Sequence, residues 1–224
     1  MDERLLHIIL DSFPKILIPG LAVTLPLTAA AFSLAMVIAV AAALAQFARV
    51  PVVTRLCRLY IWIFRGTPLL VQLFVVFYGL PRVGITLDPF PAAVIVFSLN
   101  EGAYCAETVR AALESVPAGQ LEAGYCAGMS YLQTMRRIIL PQAMRTAFPS
   151  LSNSLIAMVK DTSLASNITV VEMFRATEQI NATVYEPLVL YIEVGLVYLL
   201  FSTALTWLQG VGERRLGVYR RQEG

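Results

Sequence analysis

Residues 16–48, ILIPGLAVTLPLTAAAFSLAMVIAVAAALAQFA, decide the class of this chain: no charged residue occurs between Lys15 and Arg49. A helix needs roughly 20 largely apolar residues to cross the hydrocarbon core of a bilayer. This run is long enough for one tilted span. The rest of the chain shares its bias, with 224 residues, 58% hydrophobic, 14% charged and a mean hydropathy of +0.70. Soluble domains average roughly 45–50% apolar and about 25% charged residues. So few polar residues cannot screen a core of this size from water. The composition excludes a disordered chain and argues against an ordinary soluble domain. The net charge of +2 gives no reason to expect nucleic acid as a partner.

Four further apolar stretches follow, at about 53–80, 90–113, 146–166 and 187–211. The expected fold is an all-α integral membrane protein with five transmembrane helices, forming one domain over residues 1–224. A turn-rich loop with Pro81, Gly84, Asp88, Pro89 and Pro91 separates the second and third spans. A polar stretch, 114–145, separates the third and fourth. The mixed segment 167–183 reads as a short surface helix. Five spans put the termini on opposite sides. One side then holds Arg49, Arg55, Arg58, Arg110, Arg136, Arg137, Arg145, Arg214, Arg215, Arg220 and Arg221; the other holds Arg4, Lys15, Arg82 and Arg175. Loops rich in Lys and Arg stay in the cytoplasm. The N-terminus is therefore expected outside the cell, and the C-terminus and the 114–145 loop in the cytoplasm. Asp2 and Glu3 stand where a signal peptide would carry its basic region, so no cleavable signal is expected. Cys57, Cys105 and Cys126 form no CxxC pair and His7 is the single histidine, which gives no basis for a metal site.

The loop reads as two short helices. Pro117 suits the first turn of one helix and Gly128 its C-terminal stop. Ser130 and Gln133 match a capping box opening the second helix, which Pro141 should end or kink. Apolar knobs on such a helix pair can plug into a groove of another protein, or pack against the chain's own helices.

Within this loop, Glu122-Ala123-Gly124, then Gly128, then Ile139-Leu140-Pro141 resembles the EAA loop of the membrane subunits of binding-protein-dependent ATP-binding-cassette (ABC) importers. The family pattern has a second Ala where this chain has Gly124. Arg65-Gly66-Thr67-Pro68-Leu69-Leu70-Val71-Gln72 looks like the signature of the polar amino-acid permease branch. So do Ala103-Tyr104-Cys105-Ala106-Glu107, Pro141-Gln142-Ala143 and Val159-Lys160-Asp161-Thr162-Ser163-Leu164. The resemblance implies a permease subunit that pairs with a second permease subunit, either a copy or a paralogue. It implies cytoplasmic ATPase subunits holding a coupling helix at about 120–128, with Gln120, Glu122, Ala123, Gly124, Gly128 and Pro141 as coupling residues. It also implies an extracytoplasmic binding protein that delivers an amino acid. The motifs lean toward L-cystine and are shared with arginine, histidine and glutamine permeases. The chain has no G-x-x-x-x-G-K-[ST] phosphate loop. It is expected to be no enzyme and to hold no cofactor, with ATP bound by the partner subunits.

Ionisable groups at membrane depth are costly unless paired or wet, so each is a candidate site. An amino acid in transit is a zwitterion. Its ammonium end suits Glu107 or Asp161, and its carboxylate end suits Lys160. Asn100, Tyr104, Thr162 and Ser163 stand close in sequence and complete the candidate pathway. Equally, Lys160 can pair with Glu107 or Asp161 merely to hold helices together. Arg65, with Gly66, Thr67 and Pro68, reads as a structural anchor at a helix kink. The rival to an ABC importer is an ATP-independent secondary carrier or channel. Such a carrier often shows internal repeats, which this chain lacks, and has no use for a coupling loop.

Overall fold

The computed structural model describes residues 3–48 and 50–217; Arg49, Arg220 and Arg221 of the charge count lie outside the described residues. Among the described residues every regular element is helical. α1 (Glu3–Pro19) passes through a π-helical turn into α2 (Leu25–Phe47). α3 (Pro51–Gly66) breaks sharply before α4 (Leu69–Phe74), and α5 (Pro89–Glu114) follows. α6 (Ala118–Cys126) and α7 (Tyr131–Thr134) form the polar stretch, and α7 runs on into α8 (Leu140–Asp161). A 3₁₀ turn leads to α9 (Met173–Val184), and α10 (Pro187–Leu216) follows. Two stretches are long and apolar enough to cross a bilayer alone, Glu3–Phe47 and Pro187–Leu216. The bent pair Pro51–Gly66 and Leu69–Val83 makes a third if taken as one span.

Three π-helical turns share one cause. Gly20–Thr24, Val75–Gly79 and Met135–Ile139 each stop two residues short of a proline, namely Pro26, Pro81 and Pro141. Proline has no N–H to donate, and its ring collides with the carbonyl four residues back. A wider turn just ahead of it moves that carbonyl away. In each case the residue before the proline donates five residues back: Leu25 to Gly20, Leu80 to Val75 and Leu140 to Met135. This corrects the sequence expectation for Pro141. The second loop helix does not end there, because the wide turn absorbs the proline and carries α7 into α8. The turn ahead of Pro26 likewise joins α1 to α2, so the first long helix begins at Glu3 rather than at about residue 16.

The core is built on small side chains. Ala31, Ala35, Ala39, Ala42 and Ala43 line one side of α2 and are buried. In the inner cluster Ala39, Ala42 and Ala43 meet Ala103, Ala106 and Val109 of α5. In the outer one Leu27 and Ala31 meet Ala92, Ala93 and Val96. Lipid tails are as apolar as leucine, so helices in a bilayer gain little from hydrophobic burial against each other; close approach and dispersion hold them instead. Gly102 belongs to this seam. A Cβ there would lie 3.0 Å from the Tyr60 hydroxyl and 3.1 Å from Ile38 Cγ2.

Ala39→Leu should overpack this seam at a cost of about 1–3 kcal/mol. Thermal unfolding of the detergent-solubilised protein should show a lowered Tm, whereas Ala29→Leu, on the exposed side of α2, should leave it unchanged.

Candidate functional site

The polar loop presents a short helix outward. The Ser130–Gln133 capping box read in the sequence is present: the Gln133 amide donates to Ser130 Oγ, and the Ser130 amide donates to Gln133 Oε1 at 2.9 Å. Gly128 takes φ +74, the left-handed conformation a helix stop requires. On α6, Gln120, Glu122, Ala123, Tyr125 and Cys126 are exposed, and Gly124 is the buried residue of that helix. A Cβ at position 124 would lie 2.5 Å from Thr134 Cγ2 and 2.6 Å from its Oγ1. Gly124 is thus set by Thr134, which is fully buried. The contact seats α6 directly on α7, and α7 continues into α8. Gln142 adds a second tie, donating to the Ile138 carbonyl at 3.1 Å and to Gln120 Oε1 at 3.4 Å.

The break between α3 and α4 bends the chain by 103°. Thr67 and Pro68 are extended, so the last carbonyls of α3 lose their helical partners. Gln72 Nε2 donates to the carbonyls of Phe64 at 2.9 Å and Thr67 at 3.1 Å. Asn100 Nδ2 donates to Phe64 O at 3.2 Å and Gln72 Oε1 at 3.0 Å. Asn100, a candidate pathway residue, is buried and engaged in closing this break. Arg65 stands just before the break. Its guanidinium lies 5.2 Å from the Tyr104 ring centroid and 4.0 Å from Glu107. Glu107 accepts from Arg110 at 2.8 Å.

Lys160 and Asp161 lie at the far end of α8 and are exposed. Lys160 and Ser163 border a cavity of about 540 Å³ walled by Phe174, Tyr191, Val194 and Tyr198. Phe174 and Tyr191 stack at 5.8 Å between centroids. Thr162 is fully buried and donates to the Val159 carbonyl at 2.6 Å. The fold separates the charges that the sequence groups. Glu107 lies seven residues from the end of α5 at Glu114, and Lys160 lies twenty from the start of α8 at Leu140. At 1.5 Å per residue these positions differ by about 20 Å along the helices. Among the described residues no ion pair joins Lys160 to Glu107 or to Asp161.

Two carboxylates lie outside the candidate set, Glu101 within the third apolar stretch and Glu172 beyond the fourth. Glu101 sits between Cys105 Sγ, at 3.3 Å, and the Ser154 hydroxyl, within electrostatic reach of Asp161. Glu172 is fully buried at the start of α9. It accepts the amides of Phe174 at 2.9 Å and Arg175 at 2.8 Å, and the Tyr198 hydroxyl at 2.6 Å. Burial pushes its carboxyl above the ordinary range, against those three donors. Glu172 therefore ties the segment after Asp161 to α10 and to the wall of the Lys160 cavity. The signal available in the sequence was an acidic residue just ahead of a helical stretch.

A bundle of apolar helices with small-residue seams, charged groups at depth and one outward-facing loop helix is the build of a transport subunit. Residues 35–218 match the family of binding-protein-dependent transport system inner membrane components, and the chain belongs to that family. Over 210 residues it is 48% identical to the L-cystine transport system permease protein TcyB of Bacillus subtilis (strain 168), covering 93% of this chain and 90% of that protein. It is 34% identical to the nopaline transport system permease protein NocM of Agrobacterium fabrum (strain C58 / ATCC 33970), covering 96% and 93%. A crystal structure of an amino acid ABC transporter with histidines superposes with a TM-score of 0.84 at 32% identity, covering 92% of this chain and 96% of that one.

Gly124→Ala should lower the yield of folded protein, or loosen the loop, through its clash with Thr134. The double variant Gly124→Ala/Thr134→Ala should recover most of the loss. Limited proteolysis of the 114–145 loop checks this: cutting should be faster in the single variant and slower again in the double.

Proposed function

We propose that this chain is the membrane-spanning permease subunit of an ABC importer that carries a polar amino acid into the cytoplasm. It has five spans, an outward N-terminus and a cytoplasmic C-terminus. The spans are α1–α2, the broken α3–α4 pair, α5, α8 and α10. Two permease subunits, this chain with a copy or a paralogue, form the pathway. Separate ATPase subunits bind ATP and each hold one α6 in a surface cleft. A binding protein outside the cell delivers the substrate. L-cystine is the preferred substrate of this reading, which the likeness to TcyB supports.

The observation that supports the reading most is α6 itself. It exposes Glu122, Ala123 and Tyr125 on a helix seated without intervening side-chain bulk on α7, and through α7 on α8. Motion imposed on α6 therefore passes to the long helix that ends at Lys160 and Asp161. At that end Lys160 takes the substrate carboxylate, and Asp161, with Glu101 behind it, faces the ammonium. Phe174, Tyr191 and Tyr198 supply an apolar wall. Glu107 belongs to a separate charged set with Arg65 and Arg110 and takes no part at this end of the path.

Two experiments test this. Cys126 is exposed at the end of α6, whereas Cys105 is buried. In intact cells carrying Cys57→Ser, a membrane-impermeant maleimide should label Cys126 only after permeabilisation; labelling from outside would invert the topology. Glu122→Lys should abolish substrate-stimulated ATP hydrolysis in the reconstituted complex or prevent its assembly. Wild-type coupling in that variant would remove α6 from the role assigned to it.

A further inference from the structure

We propose that the cleft between α3 and the last turns of α5 binds the headgroup of an anionic phospholipid of the inner leaflet. Arg55, Arg58, Trp62 and Arg65 are spaced i, i+3, i+7 and i+10 and form one stripe of α3. Across from it stand Glu107, Arg110 and Glu114 of α5, and the space between is an open cavity of about 830 Å³. The charges do not balance. Arg110 engages both carboxylates, Glu107 at 2.8 Å and Glu114 at 2.8 Å. Arg65 stands 4.0 Å from the same Glu107. Arg55 and Arg58 have no carboxylate within ion-pairing distance among the described residues. Four guanidinium groups thus share two carboxylates, and the two at the mouth are left for an anion. Guanidinium forks match phosphate oxygens in pairs.

The surroundings select a lipid over a soluble anion. Arg55 and Arg58 lie four and seven residues from the start of α3 at Pro51. That is about 6–10 Å along the helix, and Arg110 lies about 6 Å from the end of α5. This is headgroup and glycerol depth. Trp62, 71% exposed, stands about one turn deeper than Arg58, where indole rings favour the interface. Leu56, Leu59 and Ile63 are exposed beside it and offer apolar surface to acyl chains. Basic pockets between helices on the cytoplasmic side hold acidic headgroups in this way. The leaflet assignment rests on the orientation proposed above; the site itself does not.

The test uses the complete transporter, this chain with its ATPase subunits, in phosphatidylcholine nanodiscs supplemented with phosphatidylglycerol. Native mass spectrometry of the released complex counts retained lipid. The intact complex should retain phosphatidylglycerol at least tenfold over phosphatidylcholine. Arg55→Gln/Arg58→Gln should lose most of that preference, and Arg55→Lys/Arg58→Lys should keep a good part of it. Both positions are exposed, and co-elution with the ATPase subunits checks assembly. Equal retention by the intact complex and the Gln variant overturns the proposal. So does displacement by millimolar glycerol 3-phosphate, which would mark a free-anion site, or by L-cystine, which would mark the transport path. Loss of preference in the Gln variant with Cys126 labelled from outside supports the site and overturns only the leaflet.

Discussion

In a bilayer, a backbone N–H or C=O left without a partner has no water to turn to. The rest of this structure answers to that constraint. The chain carries prolines inside stretches that must stay helical, and each of Pro26, Pro81 and Pro141 is preceded by a widened turn that keeps the ladder closed. At Thr67-Pro68 widening does not suffice, and the helix breaks. The freed carbonyls of Phe64 and Thr67 are then taken up by Gln72 and Asn100. A polar residue that looks like a ligand in sequence is thereby committed to the backbone.

Close packing follows from the same setting. Without a hydrophobic drive between helices, the α2–α5 seam relies on Ala and Gly, which let the backbones approach. A rigid seam leaves motion to be carried by what lies around it. The loop helix α6 touches this bundle through Gly124 on Thr134, with the Gln142–Gln120 contact beside it. Because α7 runs unbroken into α8, the loop and the Lys160–Asp161 end belong to one mechanical body. In the importer proposed above, force applied to the loop would reach the other end of α8, about 30 Å away along the helix.

The charges at depth sort into two sets. Near the loop side, Arg65, Glu107 and Arg110 form a network with Tyr104 against the ring face. At the far side, Lys160 and Ser163 border an aromatic cavity whose wall is held by the buried Glu172 clamp on Tyr198, and Asp161 is exposed beside Lys160. Keeping a carboxylate–guanidinium network away from the exposed Lys160 and Asp161 leaves that pair unneutralised by it. In the proposed function it is these exposed charges that meet the two ends of a zwitterion.

The sequence by itself determined the membrane class, the helical content, the two-helix loop with its capping box and glycine stop, and the family. These are legible because each rests on local composition or on spacing within a few residues. Gly124 as a departure from the family pattern was also legible, but its reason was not, since Thr134 meets it only in the folded loop. Tertiary structure alone decided that Glu107 and Lys160 stand apart, that Asn100 closes a helix break, and that Glu172 clamps α9 to α10. Depth along a helix depends on where that helix starts, and start points here were moved by widened turns ahead of prolines and by a helix reaching back to Glu3. Which charges meet is a matter of register between helices distant in sequence, and no local pattern carries that register.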